Sequence, residues 1–109
     1  MADHISTQLK KGVLDLCVLA LLAKGDSYAY DLARNLAQAV DMGEGTIYPL
    51  MRRLQTDGLV ESYQQESASG PSRKYYRLAE AGLSSLIAQK QEWQHFIASV
   101  NSILGVPHE

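Results

Sequence analysis

Glu44-Gly45-Thr46-Ile47-Tyr48-Pro49-Leu50-Met51-Arg52-Arg53-Leu54-Gln55-Thr56 sets Ile47, Leu50, Met51 and Leu54 at i, i+3, i+4 and i+7, the spacing that gathers apolar side chains on one face of an α-helix. At about 100° per residue, the opposite face carries Gly45, Pro49, Arg52 and Thr56, flanked by Thr46, Tyr48 and Arg53. That face has almost no apolar bulk beyond one proline and the edge of one tyrosine. Pro49 has no N–H to donate and is expected to bend the first turns. Asp57-Gly58 is expected to stop the helix.

Two helices precede this one. Leu9 to Ala23 reads as the first, and ten of the eleven residues from Val13 to Ala23 are apolar, so little of its surface meets water. Gly25 ends it. Ser27 is the expected N-cap of the second, in which Tyr30, Leu32, Ala33, Leu36, Ala37 and Val40 repeat at helical steps before Asp41-Met42-Gly43. After the third helix, Leu59 to Glu66 reads as a strand, 67–72 as a turn-rich loop, and Arg73 to Leu78 as a second strand. Alternation puts Lys74, Tyr76 and Leu78 on one face and Arg73, Tyr75 and Arg77 on the other. Two strands joined by six loop residues make an antiparallel hairpin.

The period turns helical again from Glu80 to Leu104. Leu83, Leu86, Ile87, Trp93, Ile97, Val100 and Leu104 form its stripe, widened by Phe96 and Ile103. A helix of ~25 residues is roughly 37 Å long, whereas a compact body of ~100 residues has a radius of gyration of ~13 Å. The helix therefore overhangs its own domain. The simplest cover for its stripe (Leu83, Leu86, Ile87, Trp93, Phe96, Ile97, Val100 and Leu104) is a second copy in a two-fold homodimer.

Helix, helix, helix and hairpin, in that order, define a winged helix-turn-helix. The fold class is mainly α with a small β-hairpin, with residues 1–78 the DNA-binding domain and 79–109 the dimerisation helix. In that fold the third helix enters the DNA major groove and the hairpin touches the flanking backbone or minor groove. Gly45 leaves room for a phosphate near the helix N-terminus, where N–H groups point outward. Thr46 and Tyr48 can donate to phosphate or base edges, and Arg52 and Arg53 can reach phosphates or a guanine. Pro49 shares their face. Ser72, Arg73 and Lys74 stand at the base of the hairpin loop.

Charge supports the same partner locally. The 109 residues carry a formal net charge of −2, which argues weakly against nucleic acid. Yet Arg52, Arg53, Arg73, Lys74 and Arg77, half of the ten basic residues, lie between residues 51 and 78, and phosphate binding depends on a local patch rather than the sum. Apolar residues make up 46% and charged ones 20%, the balance of a folded domain rather than a disordered chain. The most apolar stretch is too short for a membrane span, which needs roughly 20 residues. It also has no small-residue cleavage site after it. The lone Cys17 cannot close an internal disulfide, so a cytoplasmic setting is expected.

The block from Gly45 to Leu54, followed by Asp57-Gly58-Leu59-Val60, resembles the recognition-helix block of the PadR family of bacterial transcriptional regulators. Arg73-Lys74-Tyr75-Tyr76-Arg77-Leu78 and Glu80-Ala81-Gly82 are similar to its second wing strand and the start of its last helix. Ala29-Tyr30-Asp31-Leu32 resembles the opening of its second helix. Ala29 stands where the family usually has glycine and Ala79 where it usually has threonine. The second change removes an N-cap worth about 1 kcal/mol. The single C-terminal helix is like the short subfamily.

The resemblance implies a homodimeric repressor whose last helices pack across the two-fold axis with the first helices beside them. In multidrug-type members of the short subfamily, paired tryptophans at that interface stack on flat aromatic ligands. Trp93 takes that role by resemblance, with Leu9, Gly12, Val13, Leu16 and Ile97 as its company.

Other motifs carry less. Gly43-Glu44-Gly45 is no dinucleotide fingerprint, since Tyr48 stands where a third glycine would be and no strand precedes it. His4, His95 and His108 lack zinc spacing, so neither a metal nor a cofactor is expected. Asp26 and Asp31 read as loop and surface charges, and no constellation suggests an enzyme. The competing reading is a dimeric winged-helix module that binds protein instead of DNA, and salt dependence separates the two.

Overall fold

A computed structural model describes residues 13–107 of the chain. Its elements are α1 (Leu14–Ala23), β1 (Ser27–Tyr28), α2 (Ala29–Val40), α3 (Glu44–Thr56), β2 (Val60–Ser67), β3 (Gly70–Leu78) and α4 (Glu80–Leu104). The three strands form one antiparallel sheet in the order β1-β3-β2. The chain is mainly helical with a small sheet, as the periodicities predict.

The spans of α3 and α4 agree with the reading from spacing. α2 ends at Asp41, whose φ of 55° is left-handed, a conformation aspartate tolerates better than most residues. At the C-terminus of α3, Gly58 has φ 78°. Its N–H donates to the Gln55 carbonyl, and Leu59 N–H donates to the Leu54 carbonyl at 3.0 Å. This is the doubly bonded glycine terminus that satisfies orphan carbonyls. α3 runs through Pro49. The acceptor that the proline strands is the carbonyl of Gly45, itself an exposed residue that water can serve.

Two expectations need correction, and a third lies partly outside the described residues. Ser27 does not cap α2. It pairs with Tyr76 across β1 and β3, and α2 begins at Ala29 behind Tyr28 with no side-chain cap. A two-residue strand has no period to detect. The hairpin loop is not six residues long either: β2 and β3 pair as far as Ser67 with Gly70, with an irregularity between Gln65 and Ser67. Only two residues are left to turn. Pro71 fits in β3 because β1 pairs β3 only at Tyr75 and Tyr76, so the distal hairpin is two-stranded and open on one side. Finally, α1 is described only from Leu14, and residues 9–12 lie outside the described residues.

The core joins Val18, Leu19 and Leu22 of α1 to Leu32, Ala33 and Leu36 of α2. It continues through Ile47, Leu50, Met51 and Leu54 of α3, and closes on Met42, Val60, Tyr76 and Leu86. Among the described residues no polar or charged residue is buried, and Tyr76 is the only core residue with a side-chain hydroxyl. Each fully buried aliphatic side chain contributes about 1.5–3 kcal/mol, so this junction of three helical stripes fixes the direction of α3. Cys17 sits at the edge of this core, half-buried, and burial pushes its thiol above the ordinary range, which favours the unreactive neutral form.

α4 leaves this body. Ala79 N–H donates to the Leu59 carbonyl at 3.0 Å, and Gly82 and Leu86 are buried against the domain. Farther along, Ile87, Phe96, Ile103 and Leu104 are more than half exposed. The molecule measures 54 × 35 × 23 Å, with a radius of gyration of 15.7 Å. A compact chain of this length would give ~13 Å, so the helix overhangs as its length requires. Ala79, the N-cap position of α4, makes no side-chain cap bond, consistent with the missing threonine.

Candidate nucleic-acid interface

The two faces of α3 separate cleanly. Ile47, Leu50, Met51 and Leu54 are buried, and Gly45, Thr46, Tyr48, Pro49, Arg52, Arg53 and Thr56 are exposed. The helix opens behind Gly43, which has extended backbone and contributes no side-chain cap. Thr46 and Ile47 N–H donate to the Gly43 carbonyl at 3.0 and 3.3 Å. A Cβ at Gly43 or Gly45 would meet nothing within 4 Å. Packing within the chain therefore does not require glycine there, and the bare backbone faces solvent.

The wing presents Ser72, Arg73 and Lys74, all exposed. Ser72 Oγ bonds Gln64 Oε1 at 3.3 Å across the hairpin. Arg73 lies over the Tyr28 ring at 4.9 Å and Lys74 over Tyr76 at 5.2 Å. Tyr28, Tyr75 and Tyr63 run side by side across the three strands, with centroids 5.8 Å apart at each step. Arg77 covers the far end at 5.1 Å from the Tyr63 ring. The Tyr63 phenol donates to Asp26 at 2.7 Å, a bond that raises its pKa.

The cationic cluster divides into two kinds. Arg77 gives two hydrogen bonds to one Glu61 oxygen, at 3.0 and 3.2 Å. Arg53 forks onto Asp15, with Nη2 to Oδ1 at 2.7 Å and Nη1 to Oδ2 at 3.2 Å, and lies 3.9 Å from Asp57. Its hydrogen bond to Asp15 and the nearby carboxylate charge hold its proton more tightly than usual. Arg52, Arg73 and Lys74 have no carboxylate partner among the described residues. Sequence could suggest which residues are cationic but not which were already paired, since Asp15 and Arg53 are 38 residues apart.

A second region lies between α1 and α4. An open pocket of about 190 Å³ is lined by Leu16, Gln89, Glu92, Trp93 and Phe96, and a neighbouring one of about 340 Å³ by Leu16, Ala20, Ala23, Lys24, Leu86 and Lys90. Val13 and Ile97 are half-buried, and neither lines the Trp93 pocket. Leu9 and Gly12 lie outside the described residues. Of the stripe residues, Leu86 belongs to the chain's own core, Leu83, Ile87, Trp93, Phe96 and Leu104 are exposed, and Ile97 and Val100 are half-buried. Among the described residues no group of three His, Cys, Asp or Glu is placed to hold a metal, and no helix is long and apolar enough to cross a membrane.

A three-helix core that presents an exposed polar helix beside a cationic two-stranded wing is the architecture of a winged-helix DNA-binding protein. Residues 18–88 match the transcriptional regulator PadR-like family. A PadR-like transcriptional regulator of Bacillus cereus superposes with a TM-score of 0.83 at 37% identity, covering 90% of this chain and 97% of that one. A PadR-like transcription factor of Bacteroides fragilis is 40% identical, with a TM-score of 0.73 and coverage of 89% and 95%. A PadR family transcription regulator of Clostridium difficile is 33% identical, with a TM-score of 0.78 and coverage of 85% and 99%. The chain belongs to the PadR-like family of transcriptional regulators, which are non-enzymatic DNA-binding proteins.

Proposed function

We propose that this chain is a homodimeric repressor that places two copies of α3 in successive major grooves of a pseudo-palindromic operator in the cytoplasm. Half-site centres would lie about one turn, ~34–36 Å, apart. The observation that carries the reading is the uncovered backbone at Gly43 and Gly45, at the N-terminus of α3, together with three cations without carboxylate partners among the described residues. Gly45 admits a phosphate to the helix N-terminus. Thr46, Tyr48, Pro49 and Arg52 form the surface that meets the groove, and Ser72, Arg73 and Lys74 meet the flanking backbone. Residues 1–78 bind DNA, and 79–109 join the copies through Leu83, Ile87, Trp93, Phe96, Ile97, Val100 and Leu104.

The test is retardation of the duplex upstream of the coding sequence at increasing salt. Removing one cation from a phosphate should lower the slope of log affinity against log salt by about 0.9, so Arg52→Ala, counted twice in a dimer, should lower it by about two. Arg52→Ala that binds with an unchanged slope removes Arg52 from the interface. Wild-type binding insensitive to salt favours the protein-binding module instead.

The Trp93 pocket supports a second reading, in which a planar aromatic effector binds between α1 and α4 and releases the operator. Such an effector acts only if it prefers one spacing of the recognition helices. Leu16 and Phe96, which line the pocket with Trp93, would flank it. Trp93 is the single tryptophan, so its fluorescence reports this site alone. Planar aromatic compounds are expected to quench it, and emission unmoved by a panel of them ends the effector reading.

A further inference from the structure

The C-terminal half of α3 is held from two directions. On one side its glycine terminus leads into Leu59, whose carbonyl accepts from Ala79 N–H at the start of α4. On the other, Arg53, in the last turn of α3, forks onto Asp15 of α1. A fork of two parallel N–H···O bonds fixes orientation as well as distance. Both partners are partly exposed, with side chains 53% and 30% accessible, and pairs so placed add little to stability. What energy the fork has depends on the orientation of α3 as well as on its distance from α1.

We propose that Arg53 is a positioning residue rather than a phosphate contact: its fork onto Asp15 sets the roll of α3 against α1, and so the angle at which Thr46, Tyr48 and Arg52 meet a duplex. This rests on the reading of α3 as the recognition helix. Neighbouring residues on a helix point about 100° apart, so α1 gives Leu16 to the pocket beside α4 and Asp15 to α3. The N-terminal half of α3 keeps Ile47 and Leu50 in the core and turns Gly45, Thr46, Tyr48 and Pro49 to solvent. The fork uses two of the guanidinium's five N–H donors and sets the Asp15 charge against it, so Arg53 offers a phosphate a weaker field than an unpaired arginine does. Arg52, one residue earlier, has no carboxylate to leave among the described residues.

The experiment measures affinity for the upstream duplex and for a mixed-sequence duplex of equal length, across about 50–200 mM salt, with the full chain. Circular dichroism and sedimentation confirm that each variant is folded and two-copy. Arg53→Ala and Asp15→Asn are each expected to lower the ratio of the two affinities by roughly fivefold, with the salt slope at the wild-type value. The double variant should be no worse than either single one, and the exchange Asp15→Arg with Arg53→Asp should restore most of the ratio. Arg53→Lys keeps the charge but loses the fork, so it should discriminate as poorly as Arg53→Ala.

The proposal is overturned if Arg53→Ala lowers the slope as Arg52→Ala does, if Arg53→Lys behaves as wild type, or if Asp15→Asn tightens binding by freeing a guanidinium for phosphate. Effects that add in the double variant also overturn it. A wild-type protein that binds neither duplex sinks the recognition-helix reading itself, and this one with it.

Discussion

Ile87→Glu combined with Phe96→Glu is expected to yield a folded, single-copy protein with operator affinity reduced by about 10²–10⁴-fold. Both side chains are more than half exposed in the chain, so the substitutions leave its own core intact and helix content should be unchanged. In a two-fold interface each substitution appears twice. Four carboxylates would then enter an apolar seam, at several kcal/mol per buried ion. The drop in affinity follows from geometry. With two copies linked, the second half-site binds at an effective concentration set by the link, which is worth about 10²–10⁴ over a single module. Sedimentation measures the first effect and retardation the second. A variant that still sediments as two copies places the dimer seam elsewhere, and a single-copy variant with native affinity removes the need for a dimer.

The second large effect is Gly82→Ala, which should destabilise the fold although alanine is the better helix former by about 1 kcal/mol. A Cβ at this position would run into the Leu59 carbonyl and lie 2.7 Å from Leu78 Cδ1. Leu78 can rotate. The Leu59 carbonyl cannot move without releasing Ala79 N–H and loosening the end of α3. Overpacking of this kind costs about 1–3 kcal/mol or more, and the steric penalty against backbone exceeds the propensity gain. A net destabilisation of about 2 kcal/mol would lower Tm by on the order of 10 °C for a domain this size. Molecules that remain folded would carry α4 at a changed angle, which shifts the separation of the two recognition helices. Thermal unfolding followed by circular dichroism decides it, and a Tm equal to or above wild type would show that α4 accommodates the methyl group.

Gly82 also shows where sequence reasoning stops. Its place in Glu80-Ala81-Gly82 suggests the family, but a glycine inside a helix reads locally as a weakness. The reason for it is the carbonyl of Leu59, far earlier in the chain, in a contact that exists only once α4 has docked. Ser27 misleads in the opposite direction. Its side chain suits an N-cap, and it became a strand residue because Tyr76 arrived from far downstream to pair with it. The wing loop reads as longer than it is because glycine, proline and alanine have low strand preference, while ladder hydrogen bonds between β2 and β3 need no particular side chains.

The amino-acid order alone determined the long helical and strand periods, the face of α3 that meets water, the length of α4 and the family. Each of these depends on residues within a few turns of one another, where spacing translates directly into direction. Only the tertiary structure decided which cations were already paired, that a third strand joins the wing, and that Leu86 belongs to the domain rather than to the free stripe. Those outcomes depend on groups brought together from distant parts of the chain, and Coulomb attraction and steric fit act on separations in space that linear spacing does not encode.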